Sequence, residues 1–203
     1  MMKIRLESEN DYLEVEELVR NSFWNIYRPG AFEHFIVHNL RCDESFIADL
    51  AYVIEKDKKI IGHINYSRGM IDYGDDKTEA VVLGPVAVDE SHQNQGYGSK
   101  LIEYTLKKAE DIGIPFVLVI GDENYYHRFG FKCASEYKLW LEGTDENEEC
   151  PFFMIKVFDK STLRNAKGIF HNPDVFDVSA EDVDEFDRKF EFKEKLVQEG
   201  QLE

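Results

Sequence analysis

A chain of 203 residues with 41 Asp and Glu against 24 Lys and Arg carries a formal charge of −17 and would repel the phosphate backbone of nucleic acid. Its hydrophobic fraction of 43%, with 15 Phe and 10 Tyr, suffices for one sizeable core, and no apolar run approaches the ~20 residues of a membrane span. Cys42, Cys133 and Cys150 are odd in number and far apart, which speaks against a disulfide framework, and no signal peptide opens the chain, so the expected compartment is the cytoplasm.

Residues 4–6 read as a short strand. Ser8 or Asn10 then caps a helix reaching Phe23, with Leu13, Leu18, Val19 and Phe23 near one face. Pro29-Gly30 breaks the chain before a second helix, 31–40. His34 and His38 stand four apart on it, a spacing able to bind zinc, but the glutamate of His-Glu-x-x-His is missing and helix packing is the better reading. Apolar runs 46–54 and 60–66 flank a charged turn and predict a hairpin, and Gly74-Asp75-Asp76 turns the chain into a strand over 79–88. The next helix offers Leu101, Ile102, Leu106 and Ala109 to a core, with Gly113 as its cap and Pro115 preventing its continuation. The run 116–120 is a buried strand, parallel to its predecessor through that helix. A helical turn carries Tyr125 to Phe129, and strands follow over 137–141 and 152–158, separated by the acidic loop 142–149. Residues 168–171 add a short edge strand, and 180–197 form a charged helix with Val183, Phe186 and Phe190 as its apolar stripe. This order predicts an α/β (α+β) architecture, a mixed, mostly antiparallel central sheet with flanking helices. The domain reading is 1–176 as the body and 177–203 as an acidic helical tail with few apolar residues to bury beyond Val178, expected to be dispensable for folding and cofactor binding; docking of Val183, Phe186 and Phe190 on the body or on a second subunit is the alternative, and a homodimer stays open.

The chemistry concentrates between the strand ending at Val88 and the helix beginning near Ser99. Glycines there let the backbone approach a ligand, and a helix start offers unpaired N–H groups and the positive end of its dipole. That combination suits a phosphate; the alternative is a tight turn with no ligand. The dinucleotide fingerprint fails because Leu101 stands where its third glycine belongs, and no Walker loop fits.

Gln93-Asn94-Gln95-Gly96-Tyr97-Gly98 fits the pattern Gln/Arg-x-x-Gly-x-Gly/Ala, and Tyr126 to Phe131 fits Tyr-x-x-x-Gly-Phe. On these two motifs, separated by one helix and one strand, the chain resembles the GNAT N-acetyltransferase superfamily, strongly over 60–131, loosely over 1–59 and thinly after Trp140. The resemblance implies the GNAT fold, with a splay between the two central parallel strands, and acetyl-CoA as cosubstrate without a metal. It implies that Gln93, Asn94, Gln95, Gly96, Tyr97, Gly98 and Ser99 hold the pyrophosphate, and it places Phe129 with the cofactor-binding residues. Freed by the splay, backbone groups of Val86, Ala87 and Val88 would pair with the pantetheine arm, and the Val86 N–H would polarise the acetyl carbonyl; Pro85 has no N–H to offer. Tyr126 matches the tyrosine that protonates the departing thiolate, although its ring could instead merely pack with Phe129 and Phe131. His63, Asp72, Glu79 and His127 are candidate bases, with a water chain to a distant carboxylate as an equal alternative, and none is singled out. The implied activity is acetyl transfer to a primary amine of a small molecule or peptide, the acidity favouring a cationic one; the alternative is a non-catalytic acetyl-CoA sensor.

Overall fold

The computed structural model describes residues 2–145, 147, 148 and 150–201. Glu146 and Glu149 of the acidic loop and the last two residues of the tail lie outside the described residues. In chain order the first elements are β1 (Met2–Leu6), α1 (Tyr12–Phe23), α2 (Glu33–Leu40), β2 (Tyr52–Lys56), β3 (Lys59–Asp72) and β4 (Lys77–Val88). They are followed by α3 (Tyr97–Asp111), β5 (Phe116–Ile120), α4 (Glu123–Tyr126), β6 (Lys132–Cys133), β7 (Leu139–Leu141), β8 (Phe153–Val157), β9 (Gly168–His171) and α5 (Ala180–Asp187). Hydrogen-bonded neighbours run β1-β2-β3-β4-β5-β8-β6, with β9 beside β3 and β7 beside β9. The described strands form the expected mixed, mostly antiparallel sheet; the recorded parallel pairs are β4 with β5 and β7 with β9. The residues divide into two units.

The first unit comprises Met1–Asn65, Pro85–Leu101 and Asp174–Glu203. Here β2 pairs antiparallel with β1 and β3, and the turn between β2 and β3 has Asp57 and Lys58 at φ 51° and 69°, the geometry of a two-residue hairpin. The strand expected from residue 46 begins only at Tyr52, after a 3-10 turn at Ala48–Leu50. Val15, Leu18 and Val19 of α1 and Val37 of α2 cover Val53, Ile60 and Ala87. Positions 15, 18 and 19 share one helix face, whereas Leu13 falls outside it and is 68% exposed, contrary to the face read from the sequence. Ser179 caps α5 by accepting the Asp182 N–H, and Val183 and Phe186 are buried. The helix stops at Asp187, ten residues short of expectation. Acidic side chains crowd its last turn, where no basic residue offsets the negative end of the dipole.

The second unit comprises Tyr66–Gly84 and Ile102–Pro173. Val117, Leu118 and Val119 of β5 are fully buried, with β4 on one side and β8 on the other. Strand β9 is no edge: it lies between β3 (Met70↔His171) and β7 (Trp140↔Ile169). The recorded β4–β5 pairing ends at Leu83↔Val119, although β4 keeps strand geometry to Val88. Gly84 sits at this point with φ 139°, a conformation that L side chains rarely adopt, followed by Pro85, which lacks an N–H for a ladder. From Gly84 to Val88, β4 keeps strand geometry with no recorded β5 pair.

Candidate active site

In the first unit, Asp89 governs the turn that follows β4. Its carboxylate accepts from the Ser91 hydroxyl and N–H and lies 2.9 Å from His92 Nδ1 and 3.2 Å from Lys59 Nζ. Ser91 and then His92 hold it well below the usual carboxylate range. The chain then turns through Asn94 (φ 58°) and Gly96 (φ 81°) into α3. An ideal Cβ on Gly96 would meet nothing within 4 Å, so the glycine is required by backbone conformation and leaves the approach open. The Lys100 N–H donates to the Gly96 carbonyl (3.1 Å), an i→i−4 bond at the helix start. The amides just ahead of it, at Tyr97, Gly98 and Ser99, belong to the turn whose N–H groups find no acceptor within a helix. The ring of Tyr97 has Lys56 and Lys100 ammonium groups 5.3 and 5.7 Å from its centre. An anion at this turn would meet amide donors, the helix dipole and lysine charge.

Strand alternation sorts the three backbone candidates. The Asp89 N–H donates to the Ile61 carbonyl (3.0 Å), so the backbone groups of Asp89 and Ala87 point toward β3, while those of Val88 and Val86 point away from it. The Val88 carbonyl already accepts from Gln93 Nε2 and Ser22 Oγ, both at 3.1 Å. Gln93 therefore closes the turn on itself, as Gln95 does by donating to the Ser91 carbonyl (3.0 Å).

In the second unit, Tyr126 ends α4, which Asp122 caps by accepting the Asn124 N–H (2.9 Å). The Tyr126 ring lies 5.7 Å from Phe131 at 76° and 5.1 Å from Tyr125 at 85°, both edge-to-face. Gly121 sets its position: a Cβ there would fall 2.6 Å from Tyr126 Cε2. Tyr66, fully buried on β3, shares a 2.8 Å hydrogen bond with Thr105 of α3, and burial pushes its phenol well above the usual range. Phe129 is 7% exposed, and its carbonyl accepts from Lys156 Nζ (2.6 Å). The Arg128 guanidinium stacks 4.0 Å from the centre of the Tyr125 ring and donates to the Tyr125 carbonyl. An open cavity of about 300 Å³ is lined by Leu106, Lys107, Arg128, Phe129, Lys156 and Phe158, among others.

The base candidates scatter. Asp72 accepts from the Gly74 N–H (2.7 Å) and shapes the turn after β3; Glu79 pairs at 3.4 Å with Arg68 on the surface; His127 is exposed. His63 is fully buried, and burial followed by the charge of Arg41 holds it down at about 3. His34 and His38 belong to separate clusters, with Asp187 and Glu16 respectively, and no group of three or more metal-type ligands occurs among the described residues. Nor is any described helix long and apolar enough to cross a membrane. Sequence reasoning missed Gly121, whose signal was a glycine closing an apolar strand.

Residues 14–131 match the acetyltransferase (GNAT) family. The uncharacterized N-acetyltransferase YhbS of Escherichia coli is 29% identical over 138 residues, covering 68% of this chain and 78% of that protein. The crystal structure of E. coli YhbS in complex with CoA superposes with a TM-score of 0.74 at 25% identity, covering 87% of this chain and 92% of that one. A GNAT family acetyltransferase from Brucella melitensis in complex with acetyl-CoA gives 0.69 at 26% identity, over 87% and 99%. Fold and motifs together define an N-acetyltransferase architecture. The chain belongs to the acetyltransferase (GNAT) family.

Proposed function

We propose that the chain transfers the acetyl group of acetyl-CoA to a primary amine of a small molecule or peptide. The observation that carries this reading is the Tyr126 phenol, packed over Gly121 on the turn after β5 in a chain of this family. A phenol with an ordinary pKa of ~10 is protonated at neutral pH and can hand its proton to a thiolate. The turn amides at 93–99 take the pyrophosphate, with Gly96 keeping the approach clear. Val86, whose backbone points away from β3, offers its N–H to the acetyl carbonyl, where a fixed donor stabilises the charge that develops on oxygen. Val88 contributes its N–H to the pantetheine arm, Ala87 packs beneath, and Phe129 lines the cofactor side.

The test has two arms. Acetyl-CoA should raise the melting temperature of the purified protein, because a ligand bound only by the folded state stabilises it. A panel of polyamines, aminoglycosides and lysine-rich peptides, followed by CoA release, should reveal an acceptor. Stabilisation by acetyl-CoA without CoA release from any amine would support a sensor instead. No stabilisation at all would remove the cofactor reading.

A further inference from the structure

Two thiols of the second unit stand close together and near the seat of Tyr126. Cys133 closes β6 and is half-buried, Cys150 precedes β8 and is 5% exposed, and both are free. They are 17 positions apart in sequence, yet the Cys133 thiol donates to the Cys150 carbonyl at 3.7 Å and lies 3.1 Å from Ser135 Oγ. The sheet brings them together. Cys133 pairs with Met154 of β8, and a turn closed by the Phe153 N–H on the Cys150 carbonyl (3.1 Å) folds the chain at Cys150 back toward the start of that strand. Rotation of the Cys150 side chain about its Cα–Cβ bond is the movement that brings the sulfurs to bonding distance.

Each cysteine is two residues from a group that seats the Tyr126 ring. Phe131 packs edge-to-face on that ring, 5.7 Å between centres, and the chain then runs through Lys132 to Cys133. On the other side Cys150 leads through Pro151 to Phe152, whose carbonyl accepts the Gly121 N–H at 2.8 Å. Gly121 is the residue whose missing Cβ leaves room for the ring. A covalent tie between the cysteines therefore joins the two segments on which Tyr126 rests. Cys42, the third thiol, is exposed and belongs to the first unit.

We propose that Cys133 and Cys150 form a reversible regulatory disulfide, taking a hydroperoxide as oxidant and slowing the chemistry at Tyr126. The regulatory half rests on the acetyltransferase reading above; the bridge itself does not. Cys133, the more accessible thiol, reacts first. Its thiolate attacks the peroxide, the O–O bond breaks, and the departing oxygen takes the thiol's proton, leaving Cys133 as a sulfenic acid and the oxidant as an alcohol, or as water from hydrogen peroxide. The Cys150 thiolate then attacks the sulfenyl sulfur, the S–O bond breaks, and the oxygen leaves as water with the proton that Cys150 gave up. Two thiols are oxidised and one peroxide is reduced. A dithiol reductant reverses the bridge by exchange and is itself oxidised to a disulfide. Burial pushes the Cys150 thiol up, so the closing step quickens as pH rises. In a compartment that keeps thiols reduced, such a bridge is transient and serves as a signal.

The experiment treats the full chain carrying Cys42→Ser with stoichiometric hydrogen peroxide and compares it with the same chain carrying Cys133→Ser as well. The expected result is loss of both remaining thiols, a mass lower by two hydrogens, a proteolytic peptide pair linking 133 to 150, and recovery of both thiols with dithiothreitol. The Cys133→Ser chain should yield no linked pair. The Gly121 amide resonance, read by NMR, should shift on bridging and return on reduction, which needs no acceptor. Turnover with the amine of the panel above that releases CoA fastest should fall by roughly tenfold and recover with dithiothreitol, since the reacting group is displaced, while the Cys133→Ser chain keeps its rate through the treatment. A Cys133 that runs on to sulfinic acid without linking overturns the proposal, and so does a bridge that leaves either the Gly121 amide or the turnover unchanged. Failure of acetyl-CoA to stabilise the reduced chain strikes the acetyltransferase reading instead and leaves the linked peptide and the Gly121 shift standing.

Discussion

Gly121 matters for what it lacks. With a methyl group 2.6 Å from Cε2 of Tyr126, Gly121→Ala has to displace that ring while the other contacts of α4 persist. Turnover should fall by about tenfold to a hundredfold, since small displacements of a reacting group are costly, and acetyl-CoA should still stabilise the variant. Tyr126→Phe keeps the ring and removes the proton; the expected loss is roughly ten- to a thousandfold in turnover, with little change in acetyl-CoA affinity. Tyr125→Phe should be mild, and equal rates for wild type and Tyr126→Phe would withdraw the role assigned to Tyr126. At the other motif, Gly96→Asp puts a β-carbon at φ 81° and a carboxylate where phosphate should sit. Thermal stabilisation by acetyl-CoA should vanish in a chain that still unfolds cooperatively; a wild-type response would move the phosphate site elsewhere.

Among the elements, α5 and the segment behind it depart furthest from expectation. Few apolar residues follow Val178, which suggested a tail with little to bury. Instead Asp187 takes Arg20, whose side chain is 2% exposed, at 2.6 Å, and the ring of Phe186 lies 4.9 Å from that of Phe35. Beyond the helix, Trp24 and Asn25 donate to the Glu194 carbonyl, and the Leu196 N–H donates to the Asn25 side chain. We infer that 177–203 is integral to the first unit. Asp187→Ala should cost about 3–5 kcal/mol in urea unfolding, because it strands a buried guanidinium. Truncation after Val178 should lower the melting temperature by roughly 10 °C or more; an unchanged transition would show the segment to be dispensable. The strand–turn–helix at Val88 to Ser99 was legible because polarity, glycine and helix periodicity change together within a few residues. The helical turn carrying Tyr126 was legible ahead of Gly130, while the role proposed for Tyr126 rests on its distance to that glycine. Strand β9 was misplaced because its neighbours, β3 and β7, lie far away in sequence and no local pattern names a partner. Asp187 looked like one more surface acid, since nothing near it in sequence announces Arg20.

For the molecule as a whole, charge and protonation make the remaining claims. Residues 177–203 contribute −6 of the −17, so −11 remains on the rest. We propose a cationic acceptor: such a field speeds the encounter with ammonium compounds, and salt weakens it. Polyamines should therefore outperform neutral amines at low ionic strength and lose that lead at high; a preference for acidic acceptors would refute this. Stability should also depend on pH. His34, at about 4, and His63, at about 3, are each held below the ordinary 6.5, in both cases mainly by burial. As pH falls through 6.5 the unfolded chain takes up protons that the native one declines, so the contribution is complete above 6.5 and is lost progressively down to about 4 for His34 and about 3 for His63. Melting curves should drop across that window, and His34→Gln should flatten the slope by about 1.4 kcal/mol per pH unit at most; a flat wild-type profile would contradict the assignment. The first unit is assembled from three separated stretches, the last of them 174–203. A ribosome delivers Arg20, Trp24 and Asn25 well before their partners Asp187, Glu194 and Leu196. The first unit is thus begun early and left incomplete until 174–203 emerges, and its folding waits on that segment.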